Sequence, residues 1–294
     1  MAIFEGAGVA LVTPFFDNGD INFGKLEEYI DFQIDNGTDA IIICGTTGEA
    51  STMTDDEHLE CIKVAVDRTN RRVPVIAGTG SNDTRHGINL TKRAKALGVD
   101  ATLQVTPYYN KATQNGLIEH FTAIGKAVDL PMILYSVPSR TGVGIAPKTV
   151  QALAKYDFVQ GIKEATGNLS NAAEIAHLCG EDFPIYSGND DQVLPILSLG
   201  GKGVISVLSN VAPQQTHDMV RYYLDGNHKE ALRLQLDFLP LIKALFCEVN
   251  PIPAKMALNL MGMEAGPCRL PLTNLEPEHT ALLKQALIDA HILG

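Results

Sequence analysis

Short apolar runs alternate with longer amphipathic segments along most of this sequence. Several runs, such as AIIIC and MILY, are almost continuously hydrophobic, which is typical of parallel strands covered on both faces. The runs span residues 9–12, 40–44, 74–77, 101–106, 131–135, 158–163, 184–187 and 203–208. Eight strand-helix units within about 225 residues indicate an α/β fold, the (β/α)8 TIM barrel.

The segments between the runs have the end signals of helices. Thr54 and Glu57 match a capping box, and apolar residues recur at helical spacing after them. Gly98 stands where a helix would end, and Pro147 suits the first turn of another. After the eighth run, helical patterns at 229–246, 254–261 and 278–292 predict a C-terminal helical appendage. We therefore divide the chain into a barrel over residues 1–225, which carries the active site, and a helical region over residues 226–294.

Composition and charge limit the classes of function. The chain has 294 residues, of which 45% are hydrophobic and 19% charged, as in ordinary globular proteins with a sizeable core. A net charge of −11 argues against binding to nucleic acid or to an anionic membrane, because both need clustered cations. An anionic small molecule is still compatible, because one or two local cations can hold it.

The chain shows no sign of export, metal binding or disulfide formation. Its start, MAIFEGAGVALVTPFF, lacks the pattern of a signal peptide, and no apolar run approaches membrane-spanning length. The five cysteines form no C-x-x-C, and the eight histidines do not fall at metal-ligand spacing. We therefore expect a cytoplasmic protein without metal or other cofactor.

In barrels of this kind the active site lies where the strands end and the loops to the helices begin. The runs end in stretches such as CGTTGEAS, TPYYNK, YSVPSRTG, GIKEATG and SGNDD. These stretches predict one mouth surrounded by Thr46, Thr47, Tyr109, Tyr135, Arg140 and Lys163.

Lys163 closes the sixth run, and it has two interpretations. A lysine at a strand end commonly reaches solvent and pairs with a surface acid, here Glu164. At a walled mouth, however, desolvation would lower its pKa from the usual ~10.4, and the amine could form a Schiff base. Arg140 would disfavour the ammonium further and could anchor a substrate carboxylate.

The other candidates also have structural interpretations. The stretch GTTG commonly forms a tight turn, and Tyr108 and Tyr109 could pack at a strand end. The glycine-rich LGGKGVIS precedes the eighth run, at the end of the barrel opposite the site. A phosphate cradle there is therefore not predicted.

Six stretches in this order, GTTGEAS, VTPYYNK, YSVPSRTG, GIKEATG, YSGNDD and NPIPAK, carry a family resemblance. The chain resembles the dihydrodipicolinate synthases of lysine biosynthesis, which belong to the pyruvate-dependent class I aldolases, from about residue 4 to residue 293. Single motifs are shared across that superfamily. The threonine doublet, the tyrosine doublet and the arginine after VPS together point to this member.

The resemblance implies a role for each matching residue. Lys163 would form a Schiff base with pyruvate, Tyr135 would be the general acid and base, and Thr46 and Tyr109 would complete a proton relay. In the family this second tyrosine comes from the neighbouring subunit. The residues implied to bind substrate are Thr47 and Ile205 for pyruvate, Arg140 for the carboxylate of L-aspartate 4-semialdehyde, and Gly188. Ser136 departs from the family, which usually has asparagine there, so it puts the local loop geometry in question.

The implied activity is a lyase that condenses pyruvate with aspartate 4-semialdehyde to give 4-hydroxy-tetrahydrodipicolinate, in a homotetramer built as a dimer of dimers. Two alternatives stay open. A sister lyase acting on N-acetylneuraminate or a 2-keto-3-deoxy sugar acid would keep the lysine and the tyrosine. A barrel of another class would bind a keto acid without turning it over.

Many members of the family are inhibited by lysine at a pocket between subunits. The positions that correspond to that pocket are Ser51, Asp55, His58, Asn82, His86 and Tyr108. His86 replaces a glutamate that faces the effector's α-amino group in sensitive members, and Asp55 stands where bacterial ones often have histidine. The sequence therefore predicts weak or absent inhibition by lysine.

Overall fold

The computed structural model describes residues 2–294, and its eight parallel strands close into a barrel in chain order. The strands are β1 (Gly6–Ala10), β2 (Ala40–Ile43), β3 (Val75–Gly78), β4 (Ala101–Val105), β5 (Met132–Ser136), β6 (Val159–Glu164), β7 (Ile185–Ser187) and β8 (Gly203–Ser206). Each strand pairs with its neighbours, and β8 pairs with β1. The prediction of a (β/α)8 barrel with a C-terminal helical appendage is confirmed.

The helices follow the strands around the outside of the barrel and continue to the C-terminus. They are α1 (Phe23–Asp35), α2 (Asp55–Thr69), α3 (Thr84–Leu97), α4 (Gln114–Val128), α5 (Pro138–Thr141), α6 (Pro147–Leu153), α7 (Leu169–Cys179), α8 (Val193–Ser198), α9 (Pro213–Leu224), α10 (His228–Asp237), α11 (Leu239–Ala244), α12 (Ile252–Leu260) and α13 (Pro277–Asp289). Short 3₁₀ turns lie at Ala50–Thr52, Asp190–Gln192 and Leu208–Asn210. None of the helices in residues 2–294 combines the length and the hydropathy of a membrane span.

Strand β1 begins three residues earlier than its apolar run predicts. Its first residues are small, and Gly6 pairs in register with Gly203 of β8. A Cβ atom on Gly203 would collide with the carbonyl oxygen of Gly6, so close backbone contact excludes a larger side chain there. A pattern based on hydrophobic side chains cannot detect a strand that begins with glycine and alanine.

The predicted end signals of the helices are confirmed. Thr54 and Glu57 form both hydrogen bonds of the capping box of α2, and Gly98 ends α3 in a left-handed conformation. The predicted helix at 229–246 is wrong as one element, because it is divided at Phe238 into α10 and α11. Pro240, the second residue of α11, has no N–H to continue the hydrogen bonds of α10.

The C-terminal helices share a core with the barrel. Leu245, Leu258 and Leu283 belong to the same buried hydrophobic cluster as Leu26 and Ile62 of the outer helices. A separate cluster, which includes Ile42, Ile76, Leu103, Ile133 and Ile205, fills the inside of the barrel. The appendage therefore completes the packing of the barrel's outer layer.

Candidate active site

Lys163 lies inside the barrel near the end of β6, where it pairs in register with Tyr135 of β5 and Tyr186 of β7. Only 5% of the residue is exposed, and Nζ lies 4.5 Å from the centroid of the Tyr135 ring. Burial lowers the pKa of Lys163 to about 8, while the charge of Asp190 raises it and that of Arg140 lowers it. The unprotonated, nucleophilic share of this amine near neutral pH is therefore much larger than that of an ordinary lysine.

The alternative interpretation of Lys163 as a surface lysine paired with Glu164 is wrong. Glu164 is itself buried, and its carboxylate accepts hydrogen bonds from the Thr166 backbone and from Asn171 Nδ2. Successive side chains of a strand point to opposite faces, so Glu164 lies outside the barrel while Lys163 lies inside it. Among residues 2–294, no carboxylate lies within 4 Å of Lys163 Nζ, so the amine forms no ion pair there.

The Tyr135 ring lies against Lys163 Nζ, and Thr46 lines the same cavity as Tyr135. Burial raises the pKa of the Tyr135 hydroxyl, whereas the charge of Arg140 and a hydrogen bond with Thr46 lower it. The neutral hydroxyl can give a proton and, through Thr46, recover one. This pair therefore has the chemistry of a general acid and base.

Arg140 and Thr47 supply donors at the rim of the site. Arg140 is exposed at the end of the single-turn helix α5, and its Nη2 donates to the carbonyl oxygen of Asn250 at 3.0 Å. Thr47 is buried, and its Oγ1 accepts a hydrogen bond from Asn250 Nδ2 at 3.0 Å. The guanidinium and the hydroxyl can each bind a carboxylate.

A buried ion pair fixes the loop that carries Thr46 and Thr47. Glu49 has the positive φ of a left-handed residue, and its Oε1 accepts from Lys255 Nζ of α12 at 2.9 Å. The two side chains are 1% and 2% exposed, respectively. Removing one member of such a pair strands a buried charge, which costs about 3–5 kcal/mol. Helix α12 therefore holds the threonine loop in place.

Ile205 and Gly188 lie on β8 and just after β7. Ile205 is buried inside the barrel. The Gly188 N–H donates to the carbonyl oxygen of Glu164 at 2.7 Å, and a Cβ there would lie 2.5 Å from that of Ala165. The glycine is therefore required by close packing against β6. Its N–H is already occupied, which leaves its carbonyl oxygen for a ligand.

Ser136, which stands where the family usually has asparagine, forms its side-chain hydrogen bond with the loop after β5. Ser136 is fully buried, and its Oγ accepts a hydrogen bond from the Ile145 N–H at 3.1 Å. The side chain therefore ties the segment that carries Arg140 back to its own strand.

One cavity of about 420 Å³ is lined by two of the four predicted catalytic residues and by most of the predicted regulatory ones, whereas Lys163 and Thr47 are not among its lining residues. Its lining includes Thr46 and Tyr135, which are predicted to be catalytic, the rim residue Arg140, and five of the six predicted regulatory residues, Ser51, Asp55, His58, His86 and Tyr108. Asn82 does not line it but donates to the Tyr108 carbonyl oxygen at 3.2 Å. Tyr109 has a φ of 72°, is 92% exposed and does not line this cavity.

Two polar residues of the site were missed by the sequence analysis, Asp190 and Asn250. Asp190 is 3% exposed; its Oδ2 accepts from the N–H groups of Val207 and Leu208, and its Oδ1 has no partner within residues 2–294. Asn250 lies in the C-terminal region, far along the chain from the strand ends where barrel sites are expected. Both stand in the family motifs YSGNDD and NPIPAK, which was the available signal.

Within residues 2–294 there is no group of three or more His, Cys, Asp or Glu side chains that could hold a metal ion. The site instead offers an amine, hydroxyls and a guanidinium. This donor set is suited to covalent chemistry on a carbonyl compound that bears a carboxylate.

Known proteins are similar to this chain over nearly its full length. The model of the dihydrodipicolinate synthetase family matches residues 3–290. A 4-hydroxy-tetrahydrodipicolinate synthase of Lachnoclostridium phytofermentans is 61% identical over 96% of this chain and 97% of its own. One from Acetivibrio thermocellus is 57% identical over 98% and 97%.

Solved structures agree with these sequence relatives. The dihydrodipicolinate synthase of Cyanidioschyzon merolae with lysine bound is similar at a TM-score of 0.97 and 43% identity, covering 100% of both chains. The chloride-inhibited enzyme of Acinetobacter baumannii complexed with pyruvate has a TM-score of 0.96 and 43% identity, covering 98% of this chain and 99% of its own. The chain therefore belongs to the dihydrodipicolinate synthetase family.

Proposed function

We propose that this enzyme is a lyase that condenses pyruvate with L-aspartate 4-semialdehyde to give 4-hydroxy-tetrahydrodipicolinate, in the diaminopimelate route of lysine biosynthesis. The observation that carries the proposal is the buried amine of Lys163, with a pKa of about 8, against the ring of Tyr135. We further propose a cytoplasmic enzyme that uses no metal or other cofactor.

The first half of the reaction activates pyruvate. The neutral Lys163 amine attacks the keto carbon, and the loss of water gives an iminium ion. The methyl group next to the iminium carbon then loses a proton, which leaves an enamine. Tyr135, in contact with Thr46, is placed to move these protons, because its burial keeps the hydroxyl protonated until a base forms nearby.

The second half forms the carbon–carbon bond and releases the enzyme. The enamine carbon attacks the aldehyde carbon, and the new alkoxide takes a proton from the Tyr135 relay. The amino group of the substrate then attacks the imine carbon and displaces Lys163 as the ring closes. Arg140, which is held by the Asn250 carbonyl, is placed to bind the carboxylate of the aldehyde substrate.

A coupled assay with pyruvate and aspartate 4-semialdehyde tests the activity directly. We expect turnover with this pair and not with N-acetylneuraminate or a 2-keto-3-deoxy sugar acid, because Arg140 suits a short aldehyde with its own carboxylate. Turnover with a sugar acid alone would contradict the proposed substrate. Pyruvate binding without turnover of any of these substrates would assign the chain to the non-catalytic class.

Tyr109 is proposed to complete the relay of a second copy, within a homotetramer built as a dimer of dimers. The exposed position of Tyr109 supports this, because an exposed side chain is free to reach a neighbouring subunit. Replacing it with phenylalanine is expected to lower kcat and to leave the fold intact, since only a hydroxyl is lost.

Hybrid oligomers test whether the site is shared. Mixing Tyr109→Phe protomers with Lys163→Ala protomers is expected to restore part of the activity, because some sites then contain both functional groups. The matched control mixes Tyr135→Phe with Lys163→Ala, whose residues act within one chain, and it should show no recovery. Failure of the first mixture to recover despite verified subunit exchange would contradict the proposal.

The residues around His86 are proposed to form a regulatory pocket with weak affinity for lysine. His86 Nε2 lies 3.0 Å from Asp55 Oδ1, and Arg93 is also near this carboxylate at 3.9 Å. The Asp55 carboxylate therefore already has partners in His86 and Arg93, and it is less available to bind the ammonium group of lysine. A histidine in place of a carboxylate gives no charge to neutralise an ammonium group.

We expect lysine to inhibit at least about tenfold more weakly than it inhibits members with glutamate at this position, a difference of about 1.4 kcal/mol. Titration of activity with L-lysine at fixed substrate concentrations measures the strength of this inhibition. His86→Glu should strengthen inhibition, whereas Asn89→Glu, which adds the same charge on α3, should not. Strong submillimolar inhibition of the unmodified enzyme would show that His86 is tolerated.

A further inference from the structure

Asn250 stands just before α12 and contacts two side chains at the mouth of the barrel. It is 6% exposed, and its Nδ2 donates to Thr47 Oγ1 at 3.0 Å. Its carbonyl oxygen accepts from Arg140 Nη2 at 3.0 Å. One residue therefore reaches two groups. Its side chain contacts Thr47, which the family resemblance implies for binding pyruvate, and its backbone contacts Arg140, which the proposed function assigns to the carboxylate of the aldehyde substrate.

The bond from Asn250 determines what the Thr47 hydroxyl can do. A hydroxyl has one proton and two lone pairs, and the amide N–H occupies a lone pair. Within residues 2–294, Asn250 is the hydrogen-bond partner of Thr47 Oγ1. The proton of this hydroxyl is therefore available to a ligand, which it would not be if an acceptor faced Thr47.

A buried ion pair holds Asn250 at this distance from Thr47. Glu49, two residues after Thr47, is bonded to Lys255, five residues after Asn250, at 2.9 Å. Lys255 Nζ also donates to the Pro267 carbonyl oxygen at 2.6 Å. The loop with Thr47 and the start of α12 are thus fixed to each other at two points.

We propose that Asn250 is a positioning residue that makes the Thr47 hydroxyl a dedicated hydrogen-bond donor to the carboxylate of pyruvate. Its backbone holds Arg140 toward the second substrate. This inference rests on the proposed function, because that function supplies the pyruvate carboxylate. Recognition of the first substrate then depends on the C-terminal region as well as on the barrel.

The variant Asn250→Asp tests the proposal, because it keeps the shape of the side chain and replaces the donor with an acceptor. The Thr47 proton then bonds to the new carboxylate and is lost to pyruvate. The KM for pyruvate is expected to rise about tenfold to a hundredfold, the range for hydrogen bonds to charged groups. The KM for aspartate semialdehyde should change much less, because Arg140 is bonded to a backbone carbonyl.

Making Asn250→Asp in a Thr47→Val protein separates the loss of the Thr47 proton from simple charge repulsion. In Thr47→Val protein there is no hydroxyl proton to redirect, so adding Asn250→Asp should raise the KM for pyruvate little further. Direct repulsion between the new carboxylate and pyruvate would act equally in both backgrounds. An equal rise in both, or an unchanged KM for pyruvate in the single variant, overturns the proposal.

Asn250→Ala provides the same test if the aspartate variant does not fold. It frees the hydroxyl to rotate, so a smaller rise in the KM for pyruvate is expected, and this rise should vanish in the Thr47→Val background. If Asn250→Ala raised the KM for pyruvate equally in the Thr47→Val protein, which lacks the hydroxyl, the result would contradict the inference.

Borohydride trapping of pyruvate without the second substrate separates this inference from the proposed function. If the unmodified enzyme is not labelled at Lys163, the proposed function fails. If it is labelled, but the half-saturating pyruvate concentration for trapping is the same in Asn250→Asp, only the role of Asn250 fails.

Discussion

Replacing Lys163 with alanine is expected to abolish both turnover and the covalent trapping of pyruvate. Within residues 2–294, Lys163 is the lysine whose amine lies against the Tyr135 ring, inside the barrel. With pyruvate and borohydride, mass spectrometry should find the reduced adduct on the peptide that contains GIKEATG. Lys155→Ala removes an exposed lysine eight positions away and should keep both activities.

The pH dependence of trapping is a second test, which reports the pKa of Lys163. Because burial lowers the pKa of Lys163 to about 8, the neutral amine increases as pH rises toward this value, and the rate should level off above it. Arg140→Leu removes a like charge and should move the profile to higher pH. Asp190→Asn removes an opposite charge and should move it to lower pH.

An adduct on another residue, or none, would contradict the Schiff-base mechanism. A trapping profile that still rises steeply well above pH 8, toward the ordinary lysine pKa of ~10.4, would contradict the effect of burial on Lys163.

Replacing Tyr135 with phenylalanine is expected to lower kcat by ~10²–10⁴. The change removes the buried hydroxyl and keeps the ring near Lys163 Nζ. The Lys163 amine therefore keeps its surroundings, and pyruvate should still be trapped, although catalysis by proton transfer is lost. Steady-state kinetics together with borohydride trapping measure the two effects separately.

Tyr156→Phe is the matched control for Tyr135→Phe. Tyr156 stacks on Phe158 outside the barrel, and its hydroxyl does not face Lys163. This variant should have the kcat of the unmodified enzyme, and thermal unfolding should show that both variants are folded. A Tyr135→Phe variant with unchanged kcat would exclude the hydroxyl from the relay.

Most of the fold could be predicted because its signals are local. Eight apolar runs marked the eight strands, since parallel strands buried on both faces need hydrophobic side chains throughout. Thr54, Glu57 and Gly98 marked helix ends because caps act within a few residues. The two errors, at β1 and at Phe238, occurred where glycine packing or a single proline overrode the hydrophobic pattern.

The sequence by itself also predicted which stretches follow the strand ends at the mouth of the barrel, because the end of each strand fixes where the following residues begin. It placed Lys163 at such an end but left open whether the amine was exposed. Only the tertiary structure decided that, since the burial of Lys163 depends on neighbouring strands that surround it.

Contacts between distant parts of the chain were likewise decided by the tertiary structure alone. Asn250 lies 203 positions from Thr47, and Lys255 lies 206 positions from Glu49, yet each pair is in direct contact. The exposure of Tyr109 and the charge of Asp190 near Lys163 also depend on how loops pack. Periodicity reports which face of an element is buried, whereas the partner that buries it is set by the packing of the whole molecule.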